Sequence, residues 1–117
     1  MDTQIEVRNN HDSQSYDAVL DGRVAGMIVY ERVASRLMIR HTIVDPALRG
    51  RGIGKTLAKV ALDDVRASGL TLTNFCSFVG DFIDANPEYR DLVDAQLPGR
   101  VMIADQRDRV IGSPTAQ

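Results

Sequence analysis

The sequence contains no tryptophan, a single cysteine (Cys76) and two histidines, His11 and His41. One cysteine excludes an internal disulfide, and so few sulfur and imidazole groups, far apart in the chain, make no ligand cluster, so no metal is expected. No apolar run approaches the ~20 residues of a membrane helix and no segment recurs at a fixed period, so neither a membrane span nor a solenoid is expected. Met1-Asp2-Thr3-Gln4 lacks the charged-then-apolar order of a secretory signal, which together with the lone cysteine points to a reducing cytoplasm. Excess positive charge is missing too: 14 Lys and Arg against 16 Asp and Glu leave a net charge of -2 and a pI near 5.6. Nucleic acid and anionic membranes are therefore not expected partners, and any basic site must be local.

What is present is a chain of 117 residues with 44% hydrophobic and 26% charged residues, the size and composition of one folded domain. The first third alternates with the two-residue period of half-buried strands, in Ile5 and Val7, then Tyr16, Ala18 and Leu20, then Val24, Ile28 and Tyr30. Asp21-Gly22 between the last two marks a tight hairpin. Leu37 to Val44 is a further strand, apolar on both faces and so central, ended by Asp45-Pro46. From Ile53 to about Ala67 the period becomes helical, with Ile53, Leu57, Val60, Ala61 and Val65 on one face and Ser68-Gly69 closing the run. Leu70 to Phe75 is the next strand, completing a right-handed strand-helix-strand unit that makes part of the sheet parallel. Ser77 can cap a short helix, and Asn86-Pro87 opens another reaching about Asp94. The fold expected is α/β, with a mixed, mostly antiparallel central sheet. Residues 1–95 form the domain, and residues 96–117 form an extension that holds a short apolar run, Val101 to Ile103, and is expected to be disordered after Ile111.

Arg49-Gly50-Arg51-Gly52-Ile53-Gly54-Lys55 stands between a strand's end and a helix's start, where unpaired backbone N–H groups and the helix dipole create an anion site. Three glycines keep side chains out of the opening while Arg49, Arg51 and Lys55 add charge. Two other phosphate loops fit poorly. A triphosphate loop needs glycine where Arg49 stands, and a dinucleotide loop needs its third glycine where Lys55 stands.

Arg49-x-x-Gly52-x-Gly54 does resemble the coenzyme-binding signature of the GNAT (GCN5-related) N-acetyltransferases. His41-Thr42-Ile43-Val44-Asp45-Pro46, Phe75-Cys76-Ser77-Phe78-Val79 and Asn86-Pro87-Glu88-Tyr89, in that order around the loop, extend the likeness to the small YidJ-like branch of that family. The resemblance implies that acetyl-CoA is the acyl donor, with its pyrophosphate on the backbone of Arg49 to Lys55 and its pantetheine arm along Ile43 and Val44. It implies transfer of the acetyl group to an amine acceptor. The alternative is a module that holds acetyl-CoA with little or no turnover. Larger relatives place two helices where this chain has room only for the turn Arg8 to Ser15, so the acceptor site should be shallow and open. That suits a large acceptor such as a protein amine, or none used efficiently; acceptor identity and oligomeric state are left open.

Two residues stand near where the thioester should lie. His41 shares strand parity with Leu37, Ile39 and Ile43, and its side chain suits proton transfer near neutral pH, so it is a candidate general base. A core histidine satisfied by a hydrogen bond is the competing reading. Cys76 precedes a helix start, a position favouring thiolate, and could accept an acyl group, against the plainer role of a small buried hydrophobe. Tyr89 is read as a packing residue.

Overall fold

The computed structural model describes residues 5–99. Five strands follow one another across one sheet in the order β1 (Glu6–Asn10), β2 (Ser15–Leu20), β3 (Arg23–Val33), β4 (Arg36–Val44) and β5 (Thr71–Asn74). The first three neighbours pair antiparallel and β4–β5 pairs parallel, because the crossover between them is the long helix α1 (Ile53–Ala67). The mixed, mostly antiparallel sheet is the expected one. At the β2–β3 turn Asp21 and Gly22 both have positive φ, 52° and 77°, the pair of left-handed residues that matches a hairpin turn to strand twist. β1 and β2 each run further than their apolar residues suggest, leaving His11 to Gln14 as the turn rather than Arg8 to Ser15. The antiparallel ladder between them extends out to Asn10↔Ser15.

α1 packs on one face of the sheet through Ile53, Leu57, Ala58, Ala61, Leu62 and Val65. Val60 is 36% exposed and lies off that stripe. Opposite them lie Tyr16, Ala18, Ile28, Leu37 and Ile39 from the inward positions of β2 to β4. Burial of each Leu, Ile or Val at this interface contributes about 1.5–3 kcal/mol, so the helix is held by packing more than by propensity.

Three local expectations change. The helix α2 (Ser77–Ala85) is capped at Cys76, not at Ser77, and no side chain accepts a capping bond there. A 3-10 helix, Pro87–Leu92, replaces the second C-terminal helix. Asn86 holds the N-cap position, its carbonyl accepting from Tyr89 N at 3.1 Å, but its side chain makes no capping bond and donates Nδ2 to Phe82 O of α2 at 2.9 Å. Finally, Val93 to Gly99 lies against the open edge of β5: Asp94 N donates to Leu72 O at 2.8 Å and Asn74 N to Pro98 O at 2.9 Å. Residues 96–99, assigned to the extension from sequence, thus cover a sheet edge that would otherwise expose unpaired backbone groups. The run Val101 to Ile103 and the rest of the extension lie outside the described residues.

Candidate acyl-donor site

β4 and β5 pair from Arg36↔Thr71 to Ile39↔Asn74, with Phe75 N donating to Ile39 O at 2.8 Å, and beyond that point the two strands part. The rest of β4 keeps its other neighbour. Asp45 N donates to Ala25 O at 2.9 Å, so by the alternation of peptide groups Ile43 turns its backbone to β3. Thr42 and Val44 then turn their N–H and C=O groups to the side β5 has vacated. An extended chain laid there would find an open ladder edge.

A bulge decides which side chains face that opening. Tyr30 pairs with Ile39 and Val29 with His41, so Arg40 is the extra residue and side-chain parity reverses after it. Leu37 and Ile39 are buried, whereas Arg40 and His41 are both exposed and Ile43 is 50% exposed. Thr42 and Val44 line the cleft instead. The expectation that His41 projects inward with Leu37 and Ile39 is therefore corrected, and Ile43, expected along the coenzyme arm, does not line the cleft. The His41 expectation rested on an unbroken two-residue period, that for Ile43 on the family resemblance. The adjacent polar pair Arg40-His41 inside an apolar strand is the sequence signal that could have revealed the bulge.

The cleft holds about 590 Å³ and is lined by Thr42, Val44, Leu48, Phe78 and the loop residues Arg49, Gly50, Gly52, Ile53, Gly54 and Lys55. Arg51 is exposed and does not line it. The N-cap of α1 is Gly52 with φ 77°, which offers no side chain to cap the helix, and its first turn carries no acidic residue. Thr56 N is the first helical donor with a helix partner, Gly52 O at 3.0 Å. The N–H groups of Ile53, Gly54 and Lys55 are thus left to the cleft, where the dipole adds partial positive charge. The nearest acid in sequence, Asp45, spends its Oδ1 on Ala47 N at 2.9 Å. A chain of net negative charge therefore gathers positive charge, from Arg49, Lys55 and the helix dipole, at this cleft.

At the other end of the splay, Cys76 is 6% exposed and its Sγ lies 3.3 Å from Thr42 Oγ1. Asn74, fully buried, fixes it: Asn74 Oδ1 accepts from Cys76 N and Asn74 Nδ2 donates to Cys76 O, each at 3.0 Å. Sequence reasoning missed Thr42, Leu48, Phe78 and Asn74 as site residues. The structure joins Cys76 to Thr42, where His41 was expected. Tyr89 donates its hydroxyl to Asp63 Oδ1 at 2.7 Å and packs near Phe82, and the bond to Asp63 pushes its phenol pKa up. It serves the α1 interface. Among the described residues no group of three His, Cys, Asp or Glu side chains could hold a metal ion, and no helix is long and apolar enough to cross a membrane.

The family described as GCN5-related N-acetyl-transferase matches residues 15–92. Protein NATD1 of Mus musculus is 36% identical over 85 residues, which cover 69% of this chain and 77% of that protein. Protein NATD1 of Gallus gallus is 34% identical over 85 residues, 71% of this chain and 77% of that protein. The solution structure of a GCN5-like protein from Staphylococcus aureus has a TM-score of 0.58 to this chain at 25% identity, covering 74% of this chain and 85% of that one.

Proposed function

This chain belongs to the GCN5-related N-acetyltransferase family, and from that membership we propose that it takes the acetyl group of acetyl-CoA and transfers it to an amine on a large acceptor. The observation that carries the donor is the uncapped N-terminus of α1, opened by Gly50 and Gly52 with φ 86° and 77° at the end of an unpaired strand edge. A pyrophosphate suits the N–H groups of Ile53, Gly54 and Lys55, with Arg49 and Lys55 adding charge, and a pantetheine amide suits the backbone of Thr42 and Val44. The thioester then falls near Thr42 and Cys76. In the reaction proposed, the amine nitrogen attacks the carbonyl carbon, the carbon–sulfur bond breaks, the sulfur leaves with a proton and the amine loses one.

A relay through Cys76 needs a base beside the thiol, and its neighbour is a hydroxyl, which does not accept a proton near neutral pH. That supports direct attack by the amine, with the Thr42–Cys76 pair oriented toward the departing sulfur. The β1–β2 connection is a four-residue turn, His11 to Gln14, that holds no helix, which supports an open acceptor side and an amine presented on a protein. A free thiol at the site suits a reducing cytoplasm.

Calorimetry with acetyl-CoA and with ATP tests the donor. Acetyl-CoA should bind and ATP should not match it. Gly52→Val should weaken binding by at least about tenfold, because a β-branched residue resists positive φ at a cost of about 1–2 kcal/mol and intrudes on the anion. Circular dichroism checks that the variant folds. Undiminished affinity in a folded Gly52→Val protein overturns the cradle. Acetyl-CoA binding with no product from any amine, peptide or protein leaves a binding module in place of an enzyme.

A further inference from the structure

Beyond the opposite end of α1 lies a second cavity of about 520 Å³, whose wall includes Asn9, Tyr16, Tyr30, Arg32, Leu37 and Asp64. Its polar groups form a connected set. Tyr16 donates its hydroxyl to Asp64 Oδ2 at 2.6 Å, Asn9 Nδ2 donates to the same oxygen at 3.2 Å, and the Tyr30 hydroxyl donates to Asn9 Oδ1 at 2.6 Å. The two tyrosine rings lie 5.2 Å apart between centroids. Burial, then the bond to Asp64, pushes the Tyr16 phenol far above its ordinary range, so it stays a donor.

This set occupies one oxygen of Asp64. Oδ1 has no hydrogen-bond partner among the described residues, and Asp64 makes no ion pair there. Arg32 brings the guanidinium of the wall, which also holds His11 and a second carboxylate, Asp12. The Nε of Arg32 donates to Ala34 O at 2.7 Å and its backbone N–H to Gln14 Oε1 at 2.8 Å, while its guanidinium pairs with no carboxylate among the described residues. Leu37 and Leu70 supply apolar surface to the same cavity. Asp64 is half-buried and Arg32 is exposed, so the cost of desolvation without a partner falls on Asp64. Tying α1 to β2 through the Tyr16 hydroxyl requires one oxygen acceptor and would be met equally by an amide at position 64.

We propose that this cavity binds a small zwitterion of the amino-acid class, its ammonium group on Asp64 Oδ1 and its carboxylate on Arg32. An amine alone answers only Asp64 and an acid alone only Arg32, whereas one molecule carrying both groups answers both. The cavity shares no lining residue with the acyl-donor cleft, so this site does not depend on the proposed acetyl transfer.

The test is a titration of the nitrogen-15-labelled full chain with the common free α-amino acids, followed by two-dimensional amide spectra. At least one should give saturable shifts at Asn9, Tyr16 and Asp64 while Gly50 to Lys55 stay still. Its decarboxylated amine should bind at least about tenfold more weakly, the loss of a charged hydrogen-bonded pair. Asp64→Asn, which keeps an oxygen for Tyr16, should abolish the shifts. Arg32→Gln, at an exposed position, should weaken them and serves if Asp64→Asn fails to fold. Absence of shifts with every amino acid overturns the site. So does equal binding by the folded variants, or a response confined to Thr42–Val44 and the glycine loop. Acetyl-CoA added to the same sample reports on the cleft separately, so failure of either reading is seen apart from the other.

Discussion

Thr42 Oγ1 lies 3.3 Å from Cys76 Sγ, joining β4 to the start of α2 just past the last β4–β5 pair. Both groups can donate or accept, so the contact orients the thiol without fixing its charge. Thr42→Val keeps shape and removes the hydroxyl. It should lower kcat of acetyl transfer by roughly tenfold, the scale of one hydrogen bond, with acetyl-CoA affinity little changed. His41→Ala, on the other face after the Arg40 bulge, should retain nearly full activity. Steady-state kinetics on both variants decides, and the reverse ranking would return His41 to the site. Mass spectrometry after incubation with acetyl-CoA should find no hydroxylamine-labile adduct on Cys76; such an adduct would establish the covalent route.

Gly54 and Phe78 are packed so closely that a methyl group on Gly54 would sit 2.8 Å from Phe78 Cζ. Phe78 is 38% exposed and belongs to the cleft wall, so any shift it makes changes the shape of that cleft. Gly54→Ala should weaken acetyl-CoA binding by several-fold. Combined with Phe78→Leu, the loss should be partly restored. Calorimetry on the double-mutant cycle measures this coupling, and additive effects would mean the ring does not border the ligand.

Arg49 lines the cleft and Arg51 does not. Arg49→Ala should therefore cost more acetyl-CoA affinity than Arg51→Ala, and the Arg51 effect should be small and fade as salt rises, because exposed charges are screened. Titrations at low and at high ionic strength test the ranking. A larger loss at Arg51 would require the loop to close on the ligand in another conformation.

Asp94 holds the segment along β5. Its carboxylate accepts from Leu97 N at 3.0 Å, Gln96 N at 2.9 Å and Thr71 Oγ1 at 2.9 Å, and these bonds, led by Leu97, lower its pKa. A lowered folded-state pKa means that this stabilisation is present above the ordinary carboxylate value of about 4 and is lost as pH falls through the lower folded value. Hydrogen-exchange protection at Asn74, whose N–H meets Pro98 O, should therefore fall with acidification below about pH 4. Asp94→Asn should flatten that dependence. Unchanged Asn74 protection across the range would mean that the segment is held without Asp94.

How much was legible in the sequence can be followed residue by residue. Ile53 to Ala67 has the periodicity of a helix packed on one side, and the helix has those bounds, because a 15-residue amphipathic pattern leaves little else that buries its apolar stripe. Asp21-Gly22 fixed its hairpin, because positive φ at two adjacent positions is a local property. The loop from Arg49 to Lys55 was visible for the same reason: its glycines and its place before a helix are written in the chain. His41 was not legible. Its inward direction followed from counting by two along β4, and the count fails at Arg40, where the pairing with β3 inserts one residue. Thr42 could reach Cys76 only once that insertion had turned it and Asn74 had pinned the Cys76 backbone. Likewise nothing local assigns Gln96 to Gly99 to the edge of β5, since their partners, Thr73 and Asn74, are distant in sequence. The sequence determined the elements and the glycine loop before α1, whose causes lie within a few residues. The tertiary structure decided which side chains meet at the splay, because strand register and edge pairing are set by neighbours the local pattern does not contain.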